Sequence, residues 1–259
     1  MAIPITFLLL FVSLMLIITV TYYLAATQIS ASGQLLNFYA AKQSMIGLEE
    51  TISNVLWSPG ASQVFSVEDF GGNFNATPTA KTLLINVSGN NFTQTIFNGS
   101  VGEAVYNLAT GEPGASGLYL EGDSRSIVNS STSTMSQLRI VTGATSQEIV
   151  LSYRPLASST VIGSSAGKPI NTVRVYVVCM NLSQSLALQG GFYLKAECLN
   201  VVSKNLSYNF SNQISSLQVR AVLDGMDGSV FLPVSSSPSG AIINVETLVC
   251  NVQLQQVEA

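Results

Sequence analysis

"MAIPITFLLLFVSLMLIITVTYYLAATQISASGQLLNFYAAKQSMIGLEETISNVLWSPG", residues 1–60, decides the fold of this chain. Ile3 to Ala26 is 24 residues without a charge. A bilayer core of about 30 Å needs about 20 helical residues at about 1.5 Å each, so the segment is long enough to span one. Pro4 falls in the first turn, where its missing N–H costs nothing. Tyr22 and Tyr23 fall where the helix would leave the hydrocarbon, a depth that suits tyrosine. Beyond them Leu35, Phe38, Ala41, Met45, Leu48, Ile52 and Val55 recur at spacings of 3, 3, 4, 3, 4 and 3. That is one apolar stripe on an α-helix. Gln34, Asn37, Lys42, Gln43, Glu50 and Asn54 occupy the opposite face. Pro59 in "WSPG" then stops the helix. The pattern predicts one helix from about Pro4 to Leu56, apolar all round over 1–27 and amphipathic over 28–57. Gly33 and Gly47 are expected bend points, each costing about 1 kcal/mol relative to alanine.

Three readings of the front half compete. A cleaved secretory signal would want Lys or Arg ahead of a shorter apolar stretch and a small-residue cleavage site; the best candidate here is the poor Ala31-Ser32-Gly33. A simple anchor with a folded domain outside is the second. An anchor that continues as the same helix into that domain is the third.

Composition narrows the chemistry. Of 259 residues 9% are charged, against about a quarter in ordinary domains. Surface polarity must come from Ser, Thr, Asn and Gln, which suits an extracytoplasmic setting. A net charge of −4 with ten scattered basic residues leaves no cluster for nucleic acid. Histidine is absent, which removes the commonest general base and transition-metal ligand. Cys179, Cys198 and Cys250 make no C-x-x-C site. They are either small buried hydrophobes or, in an exported chain, one disulfide and an odd thiol. Cys179 and Cys198 are the first candidate pair, on the expectation that they face each other across adjacent strands.

From Gln63 onward the apolar period becomes two. "KTLLINVSG", "QLRIVTG", "QEIVLSYRP", "NTVRVYVVCMN", "FYLKAECLNVVS", "SLQVRAVLDG", "GSVFLPVS" and "AIINVETLVCNVQLQQV" read as strands. Turn signals at 88–91, 111–117, 188–191, 224–228 and 235–240 separate them. Their frequency predicts antiparallel sheets rather than βαβ units. One further helical turn is expected within Asn98–Leu108. The Ser/Gly-rich Leu156–Lys168 is the candidate linker, dividing the β region into lobes over 62–157 and 168–259; one sandwich with a long loop is the alternative. The expected fold class is α+β: a long helix, membrane-spanning and then amphipathic, followed by antiparallel β-sandwich domains.

Asn75, Asn86, Asn91, Asn98, Asn129, Asn181, Asn205 and Asn209 head N-x-S/T sequons. Either a Ser/Asn-rich surface makes them by accident, or the domain is exported and carries N-linked glycans. No catalytic, cofactor or metal residue is assigned. The Ser–His and Cys–His arrangements need a histidine. The acidic pairs of "VEDFGGNFN" and "LEGDSR" read as turn formers. "DGMDGS" at 224–229 lacks the spacing and oxygen count of a calcium loop and reads as a hairpin turn.

A long helix, apolar and then amphipathic, ahead of a β-rich domain resembles the type IV pilin class, including archaeal pilins and archaellum subunits. The resemblance covers Met1 to Pro59 and the class of the domain behind it. It implies an apolar half that sits in the membrane before assembly and in a filament core afterwards, and an amphipathic half packed on the subunit's own β domain. "MAIPIT" carries no basic residue or prepilin processing motif, and no acid precedes Glu49. The expectation is therefore a minor, accessory or unprocessed pilin-like surface protein. It would be non-enzymatic, held by membrane lipid, and self-associating or joined to other surface subunits of a filament or envelope layer. The alternative is an anchored adhesin that binds carbohydrate or protein. A secreted enzyme using carboxylates alone is a third reading.

Overall fold

The computed structural model describes residues 2–89, 92–108, 117–129, 133–143 and 146–258, with side chains from Thr6 onward. Helix α1 runs Ala2–Val55 without interruption, about 80 Å at about 1.5 Å per residue. Neither glycine breaks it. It ends as its sequence dictates. Leu56 N donates to Ile52 O at 3.1 Å and Ser58 N to Val55 O at 3.3 Å. Trp57 takes the left-handed conformation (φ 63°) that usually falls to glycine, and Pro59 forbids continuation. The Trp57 ring meets Tyr176 edge-on at 5.3 Å, a contact that offsets the strained backbone.

Among the described residues thirteen strands come after the helix: β1 Ser62–Val67, β2 Asn73–Gly89, β3 Phe92–Leu108, β4 Tyr119–Glu121, β5 Ser136–Thr142, β6 Gln147–Tyr153, β7 Leu156–Ser165, β8 Lys168–Cys179, β9 Leu186–Gln189, β10 Phe192–Phe210, β11 Ser216–Leu223, β12 Met226–Pro233 and β13 Ala241–Val257. They make a five-stranded sheet in the order β1-β10-β13-β8-β7 and a larger one in the order β12-β11-β2-β3-β6-β5-β4, with β9 on the start of β2. The pairing is antiparallel except between β13 and β8, which run parallel. The fold is thus α+β, a long N-terminal helix before mostly antiparallel sheets. Alternation places residues as the sequence requires. Val173, Val175 and Val177 are buried, while Arg174 between them is exposed.

Two expectations are corrected. Leu156–Lys168 is no linker but strand β7 and its turn into β8. β7 is an edge strand whose outer half is exposed, so its Ser/Gly content reflects solvent rather than disorder. Strands from 62–157 and 168–259 share both sheets, since β1 pairs β10 and β11 pairs β2. Nor does Asn98–Leu108 hold a helical turn. It lies in β3, where Val101, Ala104, Tyr106 and Leu108 are buried. Gly102 there lies so near Met180 that an added Cβ would stand 2.8 Å from its carbonyl oxygen, a contact a helix could not make.

Two apolar clusters form the core. One gathers Ile85, Val175, Val219 and Ile243 of β2, β8, β11 and β13. The other packs the rear of α1 against Phe74, Tyr106, Leu138, Leu194 and Leu254. Each large aliphatic or aromatic side chain buried there is worth about 1.5–3 kcal/mol over exposure.

Candidate functional site

The helix divides into two environments. Phe38, Ala41, Met45, Leu48, Ile52 and Val55 are buried in the second cluster, while Glu50 and Asn54 opposite stay exposed. Leu35, expected to join that stripe, is 40% exposed, because the β domain begins to cover α1 only at Phe38. From Phe7 to Leu36 the large apolar side chains lie open to solvent. That stretch projects about 45 Å at about 1.5 Å per residue, and the helix is long and apolar enough to cross a membrane. Four of its hydroxyls bond back to carbonyls of the helix itself. Ser13 Oγ donates to Leu10 O, Thr19 Oγ1 to Met15 O and Thr21 Oγ1 to Ile17 O, each at 2.8 Å, and Thr27 Oγ1 donates to Leu24 O at 2.9 Å. These hydroxyls therefore ask nothing of a surrounding hydrocarbon. Tyr22 and Tyr23 are well exposed at the end of a 20-residue span counted from Ile3.

A polar seam fastens the docked half. Ser53 Oγ donates to Glu49 Oε1 at 2.7 Å, and Ser136 Oγ of β5 donates to Glu121 Oε2 of β4 at 2.9 Å. Burial first, and then the neighbouring Glu121 charge, raise the Glu49 pKa above its ordinary value. Burial and both carboxyls also push the Tyr153 phenol up. Glu49 is thereby favoured in its neutral form under the helix. Beside it Arg154, buried at the end of β6, ties down the loop from β4 to β5. It pairs with the Asp123 carboxylate and donates to Thr134 O, Asp123 O and Arg125 O at 3.1–3.2 Å. The Arg125 and Arg154 guanidiniums hold the Asp123 carboxyl well below the usual carboxylate range.

The sequons separate by placement. Asn98, Asn129, Asn181, Asn205 and Asn209 are exposed. Asn75 and Asn86 are half-buried within the paired length of β2, and Asn86 Oδ1 accepts from Thr95 Oγ1 at 2.8 Å. Asn91 lies outside the described residues. Strand interiors rather than turns thus carry Asn75, Asn86, Asn98 and Asn205. β1 covers only Phe192–Glu197 of β10, so among the described residues the length from Leu199 to Phe210 has β13 on one side and no strand on the other. Asn205, Asn209 and Lys204 stand exposed on that open edge. At its end a cleft of about 310 Å³ is lined by Phe92, Tyr208, Asn209, Phe210, Asn212 and Ile214. Phe92 and Tyr208 stack there at 4.6 Å and 27°.

The cysteines regroup. Cys179 and Cys198 do not face each other across adjacent strands, because β13 lies between β8 and β10. The neighbour of Cys198 is Cys250, Sγ to Sγ 3.5 Å, and all three thiols are free and buried. Burial pushes the Cys179 and Cys250 thiols up to about 12, far from the range of a reactive thiolate.

Several other acids are partnered. Asp69 Oδ1 accepts from Gly71 N, Asp227 pairs with Arg220, and Glu246 with Arg174. Asp224 and Gly225, at φ 49° and 79°, form the two-residue hairpin between β11 and β12 that "DGMDGS" predicts. Among the described residues no three His, Cys, Asp or Glu side chains gather as metal ligands. Neither the Glu49–Glu121 pair nor the Cys198–Cys250 pair is legible in the sequence, since each joins strands or a helix far apart in the chain. The only signal is that both cysteines fall on inward positions of alternating strands. No family model, no curated protein and no solved structure matches this chain.

Proposed function

We propose that the chain is a non-enzymatic, membrane-anchored cell-surface protein of pilin-like architecture, a subunit or accessory component of an extracellular filament or envelope layer. The observation that carries this reading is the single unbroken helix, exposed and apolar up to Leu36 and buried against the β domain from Phe38 on. An exposed helix of this kind costs about 25 cal/mol per Å² of apolar surface left in water. Lipid removes that cost, and so does a bundle of identical helices. The five exposed sequons support an extracytoplasmic, glycosylated β domain, whose two sheets we read as a sandwich. Asn205 and Asn209 give the glycans a physical role, since a sugar on an open strand edge blocks unwanted edge-to-edge pairing.

The test is made on the full-length chain in its own cells. Sheared surface fractions are imaged by negative stain with labelling for this chain, and the membrane-bound remainder is weighed intact. The expected result is labelled filaments or envelope material and a glycosylated mass. An unglycosylated chain confined to the soluble cell interior would overturn the proposal.

A second reading, an anchored adhesin, draws on the stacked Phe92–Tyr208 pair in its cleft, since aromatic faces bind sugar rings. Tyr208→Ala would abolish glycan-array binding under that reading and leave surface assembly unchanged under the first.

A further inference from the structure

We propose that Cys198 and Cys250 are joined by a disulfide in the mature protein, clamping β10 to β13 directly beneath the end of helix α1. The pairing rests on the extracytoplasmic placement proposed above, because thiols persist in a reducing interior. The geometry is its own argument. The two Sγ atoms are 3.5 Å apart, and both side chains are completely buried. β10 and β13 are antiparallel neighbours, and their register slips between Cys198 and Asn200. The slip sets one extra residue, Leu199, into β10 and leaves Cys198 opposite Val252 while Cys250 lies opposite Val201. The two cysteines are diagonal neighbours beside this bulge, and their sulfurs already touch. A disulfide bond is about 2.05 Å long, so closure needs the sulfurs to approach by about 1.5 Å, within reach of side-chain rotation. Cys179 is no competitor. β13 separates it from Cys198, and although its register partner Asn251 adjoins Cys250, its side chain is buried in the other apolar cluster, away from the pair.

The reaction is thiol–disulfide exchange. Cys198 and Cys250 each give up a proton and an electron, and their sulfurs bond. The disulfide of an oxidising exchange partner in the export compartment takes up the two electrons and two protons and becomes a dithiol. Burial holds the Cys250 thiol near 12 once folded, which places the exchange before or during docking of β13.

The location says what the bond is for. Trp57 N donates to Cys250 Sγ at 3.5 Å, Gly60 N donates to Cys198 O at 2.7 Å, and Cys198 N donates to Ala61 O at 3.0 Å. The chain leaving α1 therefore lies on the two cysteines themselves. The covalent path from a lipid-held helix to the β domain runs through this junction, and a covalent bar across β10 and β13 keeps it from peeling open. The bond closes a loop between residues 52 apart in sequence. Reduction should lower the unfolding midpoint by roughly 10 °C.

The experiment takes the full chain from its native membrane and unfolds it in N-ethylmaleimide without reductant. Expected are one alkylated cysteine, Cys179, and a Cys198–Cys250-linked peptide two hydrogens lighter than its parts. In Cys179→Ser, which leaves the pair intact, no cysteine should be alkylated until reductant is added. Three alkylated cysteines on a glycosylated chain would overturn the disulfide and leave the surface reading standing; a link through Cys179 would overturn it equally. A chain found unglycosylated in the cell interior would sink the surface reading and with it the bond in the mature protein, even if refolding with glutathione disulfide showed Cys198 and Cys250 to be within bonding reach.

Discussion

The ring of Phe65 on β1 lies against Gly47 of α1 so closely that a Cβ added at the glycine would stand 2.9 Å from it. The glycine that reads as a bend point in the sequence is instead a notch. It lets the first strand after the helix turn back along the helix and fold its aromatic ring into the groove. Gly33, nearer the N-terminus and beyond the β domain's reach, has nothing within 4 Å. The same residue type thus has a packing role at one position and none at the other, and the docked half of the helix is held by shape as well as by its stripe.

Docking strength should divide sharply between Leu35 and Phe38. Phe38→Ala removes a fully buried ring and should cost about 3–5 kcal/mol. Leu35→Ala, at an exposed position, should stay within about 0.5 kcal/mol. Denaturant unfolding in detergent, followed by the fluorescence of Trp57, checks both. Equal losses would mean that the β domain grips the helix further forward than Phe38.

Stability should depend on pH through Glu49. The folded-state pKa of Glu49 lies above its ordinary 4.5. Its docked, protonated form is therefore fully favourable below the unfolded value, and the contribution is lost as pH rises through the folded one. Asp123 works with the opposite sign: its depressed pKa favours the fold above the ordinary carboxylate range and fails as pH falls. Glu49→Gln should match the parent in mild acid and exceed it at neutral pH in a series of thermal melts. Parallel curves would show that titration of Glu49 is not coupled to folding.

Arg154 should be costly to remove. Its buried guanidinium serves the Asp123 carboxylate and three backbone carbonyls, and Arg154→Met removes the side-chain donor of Thr134 O, leaves Asp123 O and Arg125 O with Gln137 Nε2, and leaves the carboxylate with Arg125. The expected loss is about 3 kcal/mol, with faster proteolysis of the segment around Arg125. Arg154→Lys should recover only part of it, because an ammonium lacks the planar fork.

Glycan occupancy should follow exposure. Site mapping is expected to find sugar at Asn205 and Asn209 and little at Asn75 and Asn86, which sit half-buried in β2. Asn205→Gln with Asn209→Gln should leave the melting temperature nearly unchanged and increase self-association, read by light scattering, because the edge of β10 is then bare. A doubly substituted protein as monodisperse as its parent would remove the protective role.

Much of this architecture is readable from order along the chain. The helix is local: each turn is made by residues three and four apart, so the stripe from Phe38 to Val55 and the stop at Pro59 are written in adjacent residues. The long strands announce themselves by alternation, as at Val173, Val175 and Val177. Sequence and structure part where local composition is ambiguous. Leu156–Ser165 has the composition of a linker because an edge strand wears polar residues. Asn98–Leu108 is strand and not a helical turn because its place is set by pairing with β2 and by the contact of Gly102 with Met180, both far away in sequence.

By itself, then, the sequence determined that a helix with an apolar front and a one-sided rear precedes a β-rich body, since periodicity depends on neighbours a few residues away. Tertiary structure alone decided that β1 returns to β10, that Cys198 meets Cys250 instead of Cys179, that Glu49 meets Glu121, and that Leu35 falls short of the β domain. Those are pairings between distant segments. They are chosen by which strand registers bury the most apolar surface together, a sum over the whole chain that no short stretch contains.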